Sequence, residues 1–395
     1  MKFNSSCMKK LNLFSVVCLA WLVIAGCSDK DPITTVNEDV VLKNASVAGK
    51  YIVVLKSDAA IVRSGLSVRN EKVKEKARGL LKKYAITGQV EEVYETALQG
   101  FTVRIAPGQA KKLAQDVNVK YVEADRVISL SPIEINGKPS PQPVAQSKPW
   151  GITRVNGGVS GVGKRAWIID SGIDLDHPDL TVDVAKSKTF LGGTSTPDDQ
   201  NGHGTHVAGT IAAKENSIGV IGVAPGATVI AVRVLDRRGS GSTSGVVAGV
   251  NYVAANGVLG DVANMSLGGG VSTSLDEAVA KASLTVKFAL AAGNESDNAN
   301  NHSPARVNGA NIYTISAMDQ ADKFAYFSNF GNPPVDYCAP GVSIYSTYKD
   351  GGYATLSGTS MATPHVAGIL LLGAVRAGGN VLSDPDGKPD PIAVH

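Results

Sequence analysis

The chain has 395 residues, with 38 Lys or Arg and 35 Asp or Glu, so its formal net charge is +3. No basic run is interleaved with aromatic residues, and this balance excludes a nucleic-acid partner held by charge. Glycine is frequent, at 43 residues, which fits a turn-rich α/β protein.

The amino terminus has the pattern of a signal peptide over residues 1–26. Lys2, Lys9 and Lys10 precede an apolar run over residues 11–26, which is shorter than the roughly 20 residues that a transmembrane helix needs. The run ends in Ala-Gly before Cys27 and resembles a bacterial lipobox, so we expect lipidation at Cys27 and anchoring in the cell envelope. Ordinary secretory cleavage is the alternative. Residues 27–47 are polar and predict a tether.

Cysteine usage predicts a protein without disulfides. Cys7, Cys18 and Cys27 lie in or at the end of the signal, so the remaining chain holds only Cys338. We expect Cys338 to be a small buried apolar residue.

Residues 48–130 predict a small α+β domain. Strand patterns alternate with two helical patterns in the order β-α-β-β-α-β, which suits a ferredoxin-like fold. A linker follows over residues 131–148, and its four prolines predict an unpacked, accessible segment: Pro132, Pro139, Pro141 and Pro143.

Residues 149–395 alternate strands and helices, which predicts one doubly wound, mainly parallel sheet. The apolar strand 165–170 ends on Asp170. Functional residues gather at the carboxyl ends of parallel strands, although an aspartate before glycine is also common in turns.

A small-residue helix is predicted to begin at about His203, after Asn201-Gly202. His203 and His206 have His-Gly-Thr-His spacing, unlike the His-Glu-x-x-His of zinc peptidases, so no catalytic metal is expected. We expect His206 and His365 to be hydrogen-bonded structural residues. His302 carries no interpretable signal.

Two further segments supply candidate groups. The apolar strand 289–294 ends in Gly293-Asn294, and residues 358–368 place Ser360 at the start of an apolar helix. Unpaired N–H groups and the helix dipole at that position favour developing negative charge, although serine is also a common N-cap.

Read together, these segments show a family resemblance. The order Asp170, His203, Ser360 is that of subtilisin, whereas α/β-hydrolases order their triad Ser, Asp, His and place a small residue, normally glycine, where Ala362 stands. The chain resembles the subtilases, serine peptidases of the subtilisin and proteinase K kind. The resemblance implies that Ser360 is the nucleophile, His203 the base and Asp170 its orienting acid, with Asn294 as an oxyanion donor.

The resemblance also implies an extended substrate between two strand segments, with broad cleavage of proteins and peptides after apolar or aromatic residues. The positions that match are Gly241, Ser242, Ser266, Leu267, Gly268, Ala292 and Gly293. The glycines have an alternative role in tight packing.

It further implies that residues 48–130 are an inhibitory prodomain, removed by cleavage within residues 131–148. Structural calcium is expected at Asp336 with the carbonyls of Ala310 and Ile312, whereas Asp174, Asp176 and Asp179 predict a solvated turn. We expect a monomer and a loosely packed tail over residues 378–395. The competing function is a catalytically silent surface-binding lipoprotein.

Overall fold

A computed structural model describes residues 45–130, 134–135, 140, 145–193 and 196–395. The predicted signal peptide and Cys27 lie outside these ranges. Across the described ranges, no helix combines the length and the apolar character that crossing a membrane requires.

The N-terminal domain, residues 45–130, is an α+β sandwich whose four strands follow the order β4-β1-β3-β2. All neighbours in this sheet run antiparallel. The predicted order of elements is confirmed, with one additional short helix. Its elements are β1 (Ser46–Leu55), α1 (Ala59–Val62), α2 (Leu66–Lys83), β2 (Val90–Tyr94), β3 (Gly100–Arg104), α3 (Pro107–Ala114) and β4 (Val119–Ser129).

The C-terminal domain, residues 145–395, is built on a ten-stranded sheet. Its main strands are β6 (Arg165–Asp170), β7 (Thr181–Val182), β8 (Lys188–Thr189), β9 (Thr228–Arg233), β11 (Val262–Met265), β13 (Lys287–Ala291), β15 (Ile312–Met318), β16 (Val335–Pro340), β19 (Arg376–Asn380) and β20 (Pro391–Val394). Every pairing among them is parallel except that of β19 with β20.

Helices and short strands complete the domain. The helices are α4 (Trp150–Arg154), α5 (His203–Ala212), α6 (Thr243–Asn256), α7 (Thr273–Ala282) and α8 (Thr359–Leu372), with a 3₁₀ turn at Ala299–Asn301. The short strands are β5 (Glu134–Ile135), β10 (Ser240–Ser242), β12 (Gly269–Gly270), β14 (His302–Ser303), β17 (Ile344–Tyr348) and β18 (Gly352–Ser357).

The sheet is covered on both faces, as its uninterrupted apolar strands require. Successive side chains of β6 alternate between two cores: Ile168 packs with α5 and α8, and Trp167 and Ile169 pack with α6 and α7. Each fully buried aliphatic side chain contributes about 1.5–3 kcal/mol to folding. This alternation confirms the doubly wound architecture.

Strand order places the candidate site. The chain proceeds from β6 to β9 on one side and from β11 to β13 on the other, so the order reverses between β6 and β11. Ligand sites of open α/β sheets lie at such a reversal, beyond the carboxyl ends of the strands. Asp170 is the last residue of β6.

The expectation of a loosely packed tail is wrong. Strand β20 pairs with β16 through Ile392 and Cys338, and Ile392 and Ala393 are fully buried. The run of four apolar-compatible residues at 391–394 is short, and the glycines and prolines before it masked it. Cys338 is fully buried, as predicted, and burial raises the pKa of its thiol.

The expectation of an unpacked linker is wrong for the parts that are described. Strand β5 pairs with β18. Ser140 exchanges two backbone hydrogen bonds with Tyr353, both 2.9 Å. Gln146 Nε2 donates to the carbonyl of Lys214 at 2.8 Å. Edge strands accept extended chain in this way because their backbone groups are otherwise unpaired.

Candidate active site

Asp170 and His203 form a buried hydrogen-bonded pair. His203 is the first residue of α5, and its Nδ1 lies 2.8 Å from one Asp170 oxygen and 3.0 Å from the other. Both residues are fully buried. A carboxylate only accepts hydrogen bonds, so Nδ1 carries the proton and Nε2 is the basic nitrogen. His203 Nε2 has no hydrogen-bond partner in the described part of the chain.

The segments that carry Asp170 and His203 meet where their backbones approach closely. A Cβ at Gly204 would lie 2.1 Å from the carbonyl oxygen of Gly172, which excludes any larger residue. The glycine therefore allows α5 to begin against the end of β6, where His203 reaches Asp170.

Asp199 holds the segments that carry Asp170 and His203 together. Our sequence analysis did not identify it. One carboxylate oxygen accepts hydrogen bonds from Ser171 Oγ (2.9 Å) and from the N–H groups of Asn201 and Gly202 (2.9 Å each). The other accepts the N–H (3.0 Å) and Oγ1 (2.7 Å) of Thr205. An acid two residues before the Asn-Gly-His turn was the only sequence signal.

Ser360 lies at the start of α8, where the sequence placed it, and is 1% exposed. Its hydroxyl donates to the carbonyl of Ser266 at 3.1 Å, and the Ser266 hydroxyl donates to the Ser360 carbonyl at 2.9 Å. Ser266 thus fixes the serine backbone. The contact with substrate that we expected of Ser266 stays a prediction.

Asn294 is held beside the serine by Thr359. Its Oδ1 accepts the Thr359 N–H at 2.8 Å and the Thr359 hydroxyl at 2.7 Å. A backbone N–H requires an acceptor, so the amide orientation is settled and Nδ2 is the donor end. The arrangement places a donor amide next to the residue that the sequence predicts as nucleophile.

Comparison with known proteins identifies the family. Residues 167–376 match the Subtilase family, and residues 50–131 match the Peptidase inhibitor I9 family. The extracellular serine proteinase of Thermus sp. (strain Rt41A) is 37% identical over 378 residues, which cover 90% of this chain and 88% of that protein. The chain belongs to the subtilase family. It is a subtilisin-like serine peptidase preceded by an inhibitor-type prodomain.

Other similar proteins agree. Alkaline serine exoprotease A of Vibrio alginolyticus is 40% identical over 341 residues, covering 83% of this chain, and this chain spans 60% of that protein's length. The crystal structure of a cold adapted subtilisin-like serine proteinase has a TM-score of 0.55 and 41% identity, covering 62% of this chain and 96% of that one.

The prodomain lies in the subtilase cleft like a bound peptide. Its strand β4 runs antiparallel to β10, pairing Val127 with Ser242 and Ile128 with Gly241. Ser129 bridges to Gly268 on the opposite side. Two of the expected strand segments therefore flank an extended chain, which is the geometry that main-chain recognition of peptides requires.

Prodomain acids also cap two helices of the peptidase domain. Asp125 accepts the N–H (2.9 Å) and hydroxyl (2.6 Å) of Ser244 in the first turn of α6. Glu123 accepts the N–H of Ser274 in the first turn of α7 at 2.8 Å. Negative charge at a helix N-terminus is stabilising. The prodomain thus contacts both the cleft and the helices beside it.

A small cavity adjoins Ser360. As expected, Leu267, Gly268, Ala292 and Gly293 line it. Glu295 and His302 line it as well, which sequence analysis missed, although an acid directly after the Gly-Asn turn was visible.

His206 and His365 are structural, as predicted. His206 Nε2 donates to two backbone carbonyls, and burial lowers its pKa to about 3. His365 Nδ1 donates to the Met361 carbonyl at 2.8 Å, and burial lowers its pKa to about 4. Both rings are therefore neutral at pH 7.

The expected calcium ligand Asp336 accepts the Thr314 N–H at 2.8 Å, and burial raises its pKa to about 6. Within the described ranges no three His, Cys, Asp or Glu side chains converge on a point that could hold a metal. Calcium at Asp336 stays a prediction that rests on one carboxylate.

The expectation of a solvated turn is wrong for Asp174 and Asp179, which are both buried. Asp179 accepts hydrogen bonds from Asn216 Nδ2 and the Val220 N–H, and Asp174 accepts one from the Gly351 N–H.

Proposed function

We propose that this subtilase hydrolyses peptide bonds with Ser360 as nucleophile, His203 as base and then acid, and Asp170 as the residue that orients the imidazole. The buried Asp170–His203 pair carries the proposal. It sets the tautomer in which Nε2 is basic, and it stabilises the imidazolium that forms when Nε2 takes a proton.

The first chemical step follows from these positions. Ser360 Oγ turns from the Ser266 carbonyl, bonds to the substrate carbonyl carbon and passes its proton to His203 Nε2. The carbonyl oxygen becomes an oxyanion, for which Asn294 Nδ2 and the Ser360 N–H are the proposed donors. The C–N bond then breaks as His203 protonates the leaving amine, and water repeats the sequence on the acyl-enzyme.

A fluorophosphonate probe tests this assignment, because it forms a P–O bond only with an activated serine and releases fluoride. We expect the mature enzyme to carry one label, on Ser360, and His203→Ala to lose it. Ser296→Ala, which changes a serine that donates to the Tyr326 carbonyl, is the control. A folded, mature enzyme that stays unlabelled would support the silent binding protein instead.

We propose that the enzyme cuts its own chain between Leu130 and Glu134. Ser129 pairs with Gly268 on one side of the cleft, and Glu134 pairs with Ser357, three residues before Ser360, on the other. These two anchors support a cut between Leu130 and Glu134. The proposed cleavage region, between Leu130 and Glu134, is shorter than the region that the sequence predicted, residues 131–148.

We propose broad cleavage after apolar or aromatic residues, since small and apolar residues line much of the cavity. Glu295 adds negative charge to the cavity, so we expect lysine to be the next preferred residue before the cut bond. In Glu295→Gln the ratio of kcat/KM for lysine over phenylalanine substrates should fall about two- to fivefold. Asp183→Asn, remote from the cavity, should leave the ratio unchanged. Fastest cleavage after acidic residues would contradict the proposal.

We propose export and lipid anchoring at Cys27. The protein from Thermus sp. carries the name extracellular serine proteinase, which supports export. Metabolic labelling with a fatty-acid analogue should mark the parent chain and not Cys27→Ala. Equal labelling of both would leave only secretory cleavage.

A further inference from the structure

Asn329 lies fully buried in the loop between β15 and β16, and its side chain bonds to the segment that carries Asn294. Its Oδ1 accepts the N–H groups of Glu295 (3.0 Å) and Asp297 (2.9 Å). Its Nδ2 donates to the Ala292 carbonyl (2.9 Å) and to Glu295 Oε2 (2.8 Å). A primary amide has two N–H donors and one oxygen with two lone pairs, so these four bonds use its whole capacity.

The backbone of the same residue holds the other side of Asn294. The Asn329 N–H donates to the Gly293 carbonyl at 2.9 Å. Asn294 therefore lies between two residues, Gly293 and Glu295, that both bond to Asn329. The Oδ1 of Asn294 accepts from Thr359, so its side chain and its backbone are fixed by different residues. The direction of the donor Nδ2 depends on both.

Gly293 leaves room for this arrangement. Its φ is +106°, a conformation that a glycine adopts without strain. A Cβ at this position would clash with Asn329 Nδ2 and would lie 2.5 Å from Glu295 Oε2. The turn at Gly293 therefore accommodates one amide and one carboxylate in place of a side chain of its own.

Asn329 also holds the Glu295 carboxylate in the cavity wall. Glu295 lines the cavity beside Ser360, and 20% of its side chain is exposed. His302 lines the same cavity, but its Nδ1 is 3.9 Å from Glu295 Oε2, beyond hydrogen-bond distance, and its Nε2 lies 3.1 Å from Asp297. The amide of Asn329, at 2.8 Å, is therefore the closer donor to Glu295 Oε2. Because this donor is neutral, the negative charge of Glu295 remains for a substrate.

We propose that Asn329 is a positioning residue with two effects. It directs Asn294 Nδ2 at the oxyanion, and it keeps Glu295 where a basic side chain before the cut bond meets its carboxylate. Asn329 acts through these two residues, and its assignment rests on the proposed function. Position matters here because displacing a catalytic group by about 1 Å costs about 100-fold in rate.

A pair of substitutions tests the contact between Asn329 and Glu295. Asn329→Asp keeps the oxygen that accepts two N–H groups but replaces Nδ2 with a second oxygen, which faces the Glu295 carboxylate. Two carboxylates at this distance disfavour each other's charge, so kcat with a phenylalanine substrate should fall about 10- to 100-fold. Adding Glu295→Gln places an amide opposite the new carboxylate. The double variant should therefore be about fivefold or more faster than Asn329→Asp alone.

Asn298→Asp is the matched control, because it adds the same charge to the same loop while its oxygen still accepts the Asn300 N–H. We expect little change in its kcat. Steady-state kinetics of the mature enzymes measure these effects, with active enzyme counted by the fluorophosphonate label. If Asn329→Asp alone does not mature, the double variant must still mature and hydrolyse the substrate.

The ratio of kcat/KM for lysine over phenylalanine substrates separates positioning from a general structural role. Asn329→Ser shortens the side chain and removes both amide donors without adding charge. The ratio should then fall about two- to fivefold, as in Glu295→Gln, because Glu295 loses its anchor. An unchanged ratio, or a double variant no faster than Asn329→Asp, would overturn the proposal. A parent enzyme that takes no label and hydrolyses neither substrate would instead refute the proposed catalytic function itself.

Discussion

Asp199 beside the active site and Asp390 at the sheet edge are both buried carboxylates, yet their surroundings differ. Asp199 accepts five hydrogen bonds from backbone and hydroxyl groups. Asp390 accepts one, from Ser316, and its other oxygen is without a donor in the described chain. The local chain explains the difference.

Asp199 precedes a glycine turn and a helix N-terminus, where unpaired N–H groups are abundant. Asp390 lies between Pro389 and Pro391, which have no N–H to donate. A carboxylate whose two oxygens both accept hydrogen bonds therefore fixes the geometry of its neighbours. A carboxyl group with fewer donors keeps its proton more readily, and burial raises the pKa of Asp390 to about 6.

Replacing the donor amide of Asn294 gives the largest expected effect. Asn294→Leu keeps the side-chain size and removes Nδ2, together with the Oδ1 that accepts from Thr359, so kcat should fall about 100- to 1000-fold with little change in KM. That magnitude is the one known for the oxyanion asparagine of subtilisin, a member of the same family. Steady-state kinetics of the mature enzyme measure this fall in kcat. The control is Asn311→Leu, which changes the asparagine just before β15. A larger change in KM than in kcat would assign Asn294 to substrate binding.

Asp199→Asn replaces the carboxylate that accepts five hydrogen bonds. The new NH₂ group faces N–H donors, so stability should fall by about 1–3 kcal/mol and kcat/KM by about tenfold as His203 loses its orientation. Asp198→Asn is the control, because Asp198 Oδ1 accepts one N–H, from Leu175. Denaturant unfolding and kinetics measure both variants. Equal effects of Asp199→Asn and Asp198→Asn would show that the number of hydrogen bonds a carboxylate accepts is irrelevant.

A third, partly buried carboxylate sharpens the comparison through pH. Asp276 Oδ1 also lacks a partner in the described chain, and burial, with a smaller contribution from Glu123 of the prodomain, raises its pKa to about 6 from 3.8. Arg306, at 3.5 Å, opposes this. Burial likewise raises the pKa of Glu95, which contacts Asn251.

The part of this shift that Glu123 causes exists only while the prodomain is bound, so the complex holds slightly more protons at Asp276 than its separated parts. The stabilisation is complete below about pH 4 and is lost as pH rises through about 6. Inhibition by the prodomain should therefore weaken from pH 5 to pH 7, by about twofold for an exposed charge pair. Asp276→Asn should flatten this profile, and a steeper profile would contradict the assignment.

Much of the site was predictable because its residues lie in local motifs. Asp170 ends an apolar strand, His203 begins a helix after glycine, and Ser360 begins another. Strand and helix patterns need only neighbouring residues, so the alternation of the sheet was also predictable.

The missed features depend on distant partners. Gln146 bonds to a loop 68 residues away, and Ser316 reaches Asp390 across 74 residues. No local pattern records such pairs. Strand β20 is hidden for the same reason, since its four residues gain their order from β16.

Intact mass over time, for the purified chain and its Ser360→Ala variant, tests the central assignment most directly. Autocatalysis by Ser360 predicts that only the parent is cut, with a first product that begins after a bond between Leu130 and Glu134. Cleavage of the variant at the same rate, or a parent that stays intact while folded, would contradict it.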